Sequence, residues 1–263
     1  MKTMLATIAA WLLLTLSAAA QELLTVETRA GVTQSVLVER EPEKPAAVAL
    51  LFPGGGGNIR LRNDGGQIRF GPGNFLVRTR ETFVKHGVVA VVFDAPSDQQ
   101  SGMDDNFRLG DAHVADVAAV IGELKKRYSS LPFFVVGTSR GTVSAASLGR
   151  RMPDAVAGVV LTATLFLGGK RPGQQGLSGF DFASIKPRVL FAHHRQDGCA
   201  YTPYRGASAL ATRFPLISVS GGLPPQSEPC QAMSEHGFLG RESETVEAIA
   251  NWMLDRPFRN EIN

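Results

Sequence analysis

From residue 46 onward, short uninterrupted apolar runs alternate with stretches whose apolar positions fall three and four residues apart. The runs are Ala46–Phe52, Val88–Phe93, Phe133–Val136 and Ala157–Thr162, and two less purely apolar strands are read at Arg188–His193 and Leu216–Ser220. A continuous apolar run with no polar face is expected of a strand buried on both sides, as in a parallel sheet. Between the runs, Val114, Val117, Ala118, Ile121 and Leu124 share one helical face and predict a helix over about Asp111–Tyr128. Asn74 is placed to cap a helix running to about Lys85, with Gly87 as its stop. Further helices are expected at Arg140–Arg151, Pro203–Arg213 and 242–254. Ahead of all this, Leu23–Arg29 and Val32–Glu39 flank Ala30-Gly31 and read as an antiparallel hairpin. The pattern predicts an α/β fold: a mainly parallel central sheet, an antiparallel N-terminal hairpin, and helices on both faces. Residues 58–73, 97–106 and 221–235 read as loops, and 163–187 has little periodicity.

Composition adds limits. The chain has 263 residues and is 44% hydrophobic, enough for one sizeable core, and no linker divides it. A net charge of +3, mixed in sign along the chain, gives no footprint for nucleic acid. Residues 1–20 open with Met1-Lys2-Thr3, continue as an apolar run and end in Ser17-Ala18-Ala19-Ala20. That is the layout of a secretory signal peptide cut after Ala20, leaving one domain over 21–263. A retained membrane anchor is the rival reading, but the apolar run is short for a span. Export to a periplasm or the exterior then bears on Cys199 and Cys230, expected to form a disulfide rather than two buried thiols.

The chemistry centres on Gly137-Thr138-Ser139-Arg140-Gly141, which follows an apolar strand and precedes a helix. A serine nucleophile must stand clear of the backbone and within reach of a base, which a sharp glycine-flanked corner provides. This stretch resembles the nucleophile elbow of the α/β-hydrolase superfamily. The glycines after the first buried run, Pro53-Gly54-Gly55-Gly56-Gly57, match neither a dinucleotide fingerprint nor a Walker loop. The resemblance implies instead an oxyanion loop, with Pro53 where a histidine often stands. Its backbone donors would be the N–H groups of Gly55 and of Arg140, the residue after the nucleophile.

The resemblance also sets the order nucleophile, acid, histidine, which Ser139, Asp197 and His236 satisfy. Asp94 ends a strand but precedes the serine, and reads as structural. Asp181 lies in the cap-length segment, and Glu235 is too close in the chain to aim at His236. His193 and His194 are adjacent on a strand, so they point to opposite faces and make a poor metal pair. No metal and no cofactor is expected. Arg60, Arg62, Arg69, Arg78 and Arg80 would suit an anionic substrate group, with a solvated face as the plainer reading. The whole implies an exported serine hydrolase, carboxylesterase-like, acting on a small-molecule ester. A peptidase or amidase of the same fold and a catalytically silent binding protein are the alternatives. No membrane partner is expected after cleavage, and oligomeric state is not legible.

Overall fold

The computed structural model describes residues 21–263; the segment read as a signal peptide lies outside them. Its strands are β1 (Glu22–Arg29), β2 (Val32–Val38), β3 (Ala47–Phe52), β4 (Arg62–Asp64), β5 (Gln67–Arg69), β6 (Val88–Phe93), β7 (Phe133–Thr138), β8 (Gly158–Thr162), β9 (Arg188–His194), β10 (Leu216–Val219) and β11 (Glu261–Ile262). The helices are α1 (Phe75–Arg78), α2 (Arg80–Lys85), α3 (Asp105–Leu109), α4 (Asp111–Tyr128), α5 (Gly141–Arg151), α6 (Tyr204–Ser208) and α7 (Glu242–Met253).

Nine strands form one sheet in the order β1-β2-β6-β3-β7-β8-β9-β10-β11. β1 and β2 pair antiparallel, β2 meets β6 antiparallel, and every other pairing is parallel. All six residues of β3, β6 and β7 are buried, as their unbroken apolar runs require. Alternate strand residues feed two separate cores. Leu50, Val91, Val135 and Val159 join the layer containing α4 and α5. Leu51, Val92, Val136 and Val160 join the layer containing α1, α2 and α7. The sheet is therefore covered by helices on both faces, as the sequence pattern predicts.

Strand order decides where a site can form. The chain moves outward from β3 to β6, then returns to place β7 on β3's other side. At such a reversal the connections leave in opposite directions and open a crevice beyond the strand C-termini. The loops after β3 and β7, with the glycine run and Ser139, lie there.

Several sequence expectations need correction. The loop at 58–73 contains a small hairpin, β4–β5, turned through Gly65 and Gly66 at φ +58° and +85°. Its strands are only three residues long and mostly exposed, so no apolar pattern marks them. The helix expected from Asn74 to Lys85 is two helices broken at Thr79. Asn74 does cap the first, accepting the Leu76 N–H at 3.1 Å. At Thr79 the hydroxyl donates back to the Phe75 carbonyl at 2.7 Å, a bond that competes with helix continuation. The helix expected to reach Arg213 ends at Ser208, and β11 had no readable signal in two residues. Residues 163–187 form loops and one 3-10 turn at Phe182–Ser184.

Two glycines fix the elbow sterically. A Cβ on Gly141 would fall 2.0 Å from the Phe52 carbonyl oxygen, and one on Gly137 would fall 2.3 Å from that of Gly141. Both clashes are with backbone, which has no room to shift. Gly122, on the exposed side of α4, would meet nothing within 4 Å. Gly141→Ala is therefore expected to destabilise by at least about 3 kcal/mol or to prevent folding. Gly122→Ala is expected to raise stability by about 0.4–1 kcal/mol, because the helix tolerates the methyl and the unfolded chain loses freedom. Parallel thermal or denaturant melts check both.

Candidate active site

β7 delivers Ser139 to the crevice, and α5 leaves from it two residues later. Ser139 holds φ at +53°, a left-handed conformation unfavourable for a residue with a Cβ. Its N–H donates to the Thr162 carbonyl at 3.0 Å, and its own carbonyl accepts the Thr142 N–H at 3.0 Å and the Thr142 hydroxyl at 2.6 Å. These bonds hold the strained corner and leave the Ser139 side chain facing the cavity. The N-terminal end of α5 adds partial positive charge beside it.

The glycine run approaches from β3. A Cβ on Gly54 would stand 2.9 Å from the Ser139 Cβ, so only glycine lets the loop come this close. Gly57 N–H closes a turn onto the Gly54 carbonyl at 3.1 Å. The N–H groups of Gly55 and Arg140 donate to no acceptor among the described residues, and the same holds for Gly54 and Gly56. Gly54, Gly55, Gly56 and Arg140 all line the cavity that Ser139 opens into. Unpaired backbone N–H groups on residues beside such a cavity are the kind of donor an oxyanion requires.

His236 lies in a 3-10 turn, Glu235–Gly237, capped by the Ser234 hydroxyl, which accepts the His236 N–H at 3.2 Å. Its Nδ1 is 3.0 Å from Asp197 Oδ2, with both side chains almost wholly buried. Asp197 Oδ1 accepts the Cys199 N–H at 2.9 Å, and Oδ2 also accepts the Thr202 hydroxyl at 2.8 Å. Thr202 Oγ1 is also 3.2 Å from His236 Nδ1. Its single hydrogen goes to the carboxylate, so the proton between imidazole and Asp197 sits on Nδ1, and Nε2 is left as an acceptor. Thr202 was not singled out in the sequence, where a lone threonine after an acid loop carries no signal.

Ser139 and His236 line one cavity of about 540 Å³, together with Asn74, Phe75, Leu165 and Tyr201 among others. No hydrogen bond joins the Ser139 hydroxyl to His236 among the described residues. Proton transfer between the two would need Nε2 within hydrogen-bond reach of Oγ.

The rivals fall elsewhere. Asp94 is buried and accepts the backbone N–H groups of Ile59, Leu61 and Ala95, so it anchors the loop beyond the glycine run. Burial raises its pKa while those bonds oppose the rise. Asp181 caps the turn at Ala183. His193 takes the Thr164 N–H and lies at 2.8 Å from the Thr164 hydroxyl, whereas His194 Nε2 reaches the Gly221 carbonyl at 2.9 Å. Burial pushes the His193 pKa down to about 3, so it is a neutral packing group against Phe166. Among the described residues no three His, Cys, Asp or Glu side chains gather to hold a metal ion. Of the arginines near the mouth, Arg78 bonds the Gly237 carbonyl and Glu242, and Arg80 pairs with Glu39, so both are structural. Arg60, Arg62 and Arg69 are exposed.

Cys199 and Cys230 form a disulfide spanning 31 positions. Cys199 N–H holds the Asp197 carboxylate, and both half-cystines line the Ser139 cavity. The link contributes about 3–4 kcal/mol in the chain-entropy picture and ties the loop of Asp197 to the loop ahead of His236. Treatment with a thiol reductant is therefore expected to lower both melting temperature and any turnover at this site. Unchanged values with two free thiols titrated would contradict that.

The sequence matches a family model described as serine aminopeptidase S33 over residues 78–198, a range that contains Ser139 and Asp197. No curated protein matches it. Similar solved structures include Est1E from Butyrivibrio proteoclasticus, at 14% identity and a TM-score of 0.62, over 89% of this chain and 98% of that one. An α/β serine hydrolase from Xanthomonas campestris, described as having no lid, is similar at 12% identity and a TM-score of 0.57, over 90% and 94%. A soluble variant of monoglyceride lipase from Saccharomyces cerevisiae, in complex with a substrate analogue, is similar at 11% identity and a TM-score of 0.57, over 93% and 98%. With its sheet order, its glycine-flanked elbow and these likenesses, the chain has the fold of the α/β hydrolases.

Proposed function

We propose that the protein is a serine hydrolase and cleaves small to medium carboxylic esters through an acyl-enzyme on Ser139. The observation that carries the reading is the buried Asp197–His236 pair at 3.0 Å, set in the same cavity as a strained, glycine-flanked Ser139. In the proposed sequence His236 Nε2 takes the Ser139 proton as Oγ attacks the ester carbonyl. The carbonyl oxygen, now negative, is met by the Gly55 and Arg140 N–H groups. The tetrahedral species collapses, the C–O bond to the alcohol breaks, and His236 returns the proton to the departing oxygen. Water then repeats the cycle on the acyl group and releases the acid. Asp197 keeps the imidazole in the Nδ1–H tautomer and balances its charge when protonated.

The cavity's size supports a compact substrate. A neighbouring space of about 250 Å³, sharing Arg140, Leu165 and Tyr201 with it, gives room for one further group. The segment at 163–187 builds no helical lid over the site, which favours soluble esters over long lipid chains. The proposal includes export after cleavage at Ala20, supported by the residue pattern and by a disulfide suited to an oxidising compartment. One observation favours a second reading: the matching family model is named for an aminopeptidase, so an amide substrate uses the same groups. A panel of p-nitrophenyl acyl esters run against aminoacyl p-nitroanilides separates the two. Ester kcat/KM exceeding the anilide value by tenfold or more is expected, and the reverse order would replace esterase by peptidase.

A further inference from the structure

α3 lies beneath the glycine run and carries two charged side chains with no exposure, Asp105 and Arg108. One Arg108 Nη donates to the Gly55 carbonyl at 3.2 Å, and the other to the Ser144 hydroxyl on α5 at 2.8 Å. A single guanidinium thus spans the two elements that present the Gly55 and Arg140 N–H groups. A Cβ on Gly57 would stand 2.7 Å from that guanidinium, so the loop is shaped around it. Asp105 makes the matching link on the other side. Its Oδ1 is 3.3 Å from Arg140 Nε, and its Oδ2 accepts the Gly176 N–H at 2.9 Å. The Met103 N–H, just ahead of α3, also donates to the Gly56 carbonyl at 2.8 Å.

A buried ion set of this kind is costly to keep. Hydrophobic residues of the same volume would serve packing as well or better. Burial lowers the Arg108 pKa to about 10, even with Asp105 near by to oppose it. Its rigid fork can bond two separate acceptors at a fixed spacing, which a lysine's single ammonium cannot reproduce. A 1 Å error in the placement of the oxyanion donors is enough to cost about 10²-fold in rate.

We propose that Arg108 and Asp105 are positioning residues for the oxyanion hole, Arg108 setting the spacing of the Gly55 loop from α5 and Asp105 fixing Arg140 against the same frame. The inference rests on the serine-hydrolase reading of the site and adds to it the machinery that keeps the hole open before substrate arrives. Neither side chain touches substrate; both act through backbone groups that do.

The test compares substrate kinetics with binding of a trifluoromethyl ketone, which adds to the serine and leaves a negative oxygen where the hole must hold it. In Arg108→Gln, kcat is expected to fall by about 10²-fold with KM within about twofold, and the ketone Ki to rise by the factor lost in kcat/KM. Arg108→Lys, keeping the charge without the fork, is expected to recover less than a tenth of the loss. Asp105→Asn gives the same readout from the Arg140 side and remains decisive if Arg108→Gln does not fold. A role confined to stability would lower the melting temperature while leaving kcat and the ratio of ketone Ki to KM unchanged, and that result overturns the proposal. Wild-type protein that neither turns over an ester nor binds the ketone overturns the underlying reading, and this inference with it.

Discussion

Ser139→Ala is expected to lower ester turnover by a factor of about 10⁴–10⁶ while leaving the melting temperature within a few degrees of wild type. The size follows from what is removed. Without Oγ no acyl-enzyme forms, and only the oxyanion donors and binding remain to assist attack by water. The small stability change follows from position. The hydroxyl faces the cavity and makes no bond to the protein among the described residues, so its loss leaves no buried partner unsatisfied. The backbone at φ +53° is as demanding for alanine as for serine, so the strain term nearly cancels. Turnover measured with an activated ester, next to a thermal melt of the same sample, gives both numbers. A variant within tenfold of wild type would show that another group carries the reaction.

Asp197→Asn is expected to lower kcat by about 10³–10⁴ with little change in KM. The carboxylate accepts from three directions: the imidazole Nδ1, the Thr202 hydroxyl and the Cys199 N–H. With the asparagine oxygen in the place of Oδ1 the Cys199 N–H is still accepted, and the amide takes the place of Oδ2, where the Thr202 hydroxyl can turn to accept from it, so the loop has the means to keep its shape. Its amide NH₂ would then face Nδ1, which must give up its proton to accept. The imidazole switches to the Nε2–H tautomer, and the nitrogen nearest Ser139 no longer accepts a proton. Thr202 sets the contrast: Thr202→Val removes one bond to the carboxylate without altering the tautomer, and should cost on the order of tenfold. Equal losses in the two variants would mean that the loop, not the proton's location, is what matters.

The elements that were legible in the sequence are those whose burial is complete. β3, β6 and β7 are buried at every residue, and each shows as an unbroken apolar run. The elbow was legible because steric necessity restricts 137 and 141 to glycine, leaving a mark in the residues themselves. The pairing of the cysteines was legible through their even number and the expected export, whereas the grouping of Ser139, Asp197 and His236 was an expectation from the resemblance, and the structure sets Asp197 against His236 with Ser139 on the same cavity. What escaped was set by tertiary neighbours. Asp105 stands in the stretch 97–106 that reads as a loop and Arg108 just beyond it, yet both are wholly buried beside the glycine run and α5. The break at Thr79 depends on a hydroxyl turning back to Phe75, and nothing in the helix pattern of 74–85 requires it. The β4–β5 hairpin is too short and too polar to alternate visibly. The division is physical: patterns report which side of an element is covered, while the partners of a buried charge are chosen only when distant segments meet.

The central claim is that Ser139 is a nucleophile raised by His236 and Asp197, and active-site labelling tests it most directly. Purified protein is incubated with a fluorophosphonate, and the modified peptide is mapped by mass spectrometry. The account predicts one phosphonyl group per chain, carried on Ser139, with labelling lost in Ser139→Ala and slowed at least about 10³-fold in His236→Ala. Folded wild-type protein that takes up no label at Ser139, or that labels equally well without His236, would contradict it.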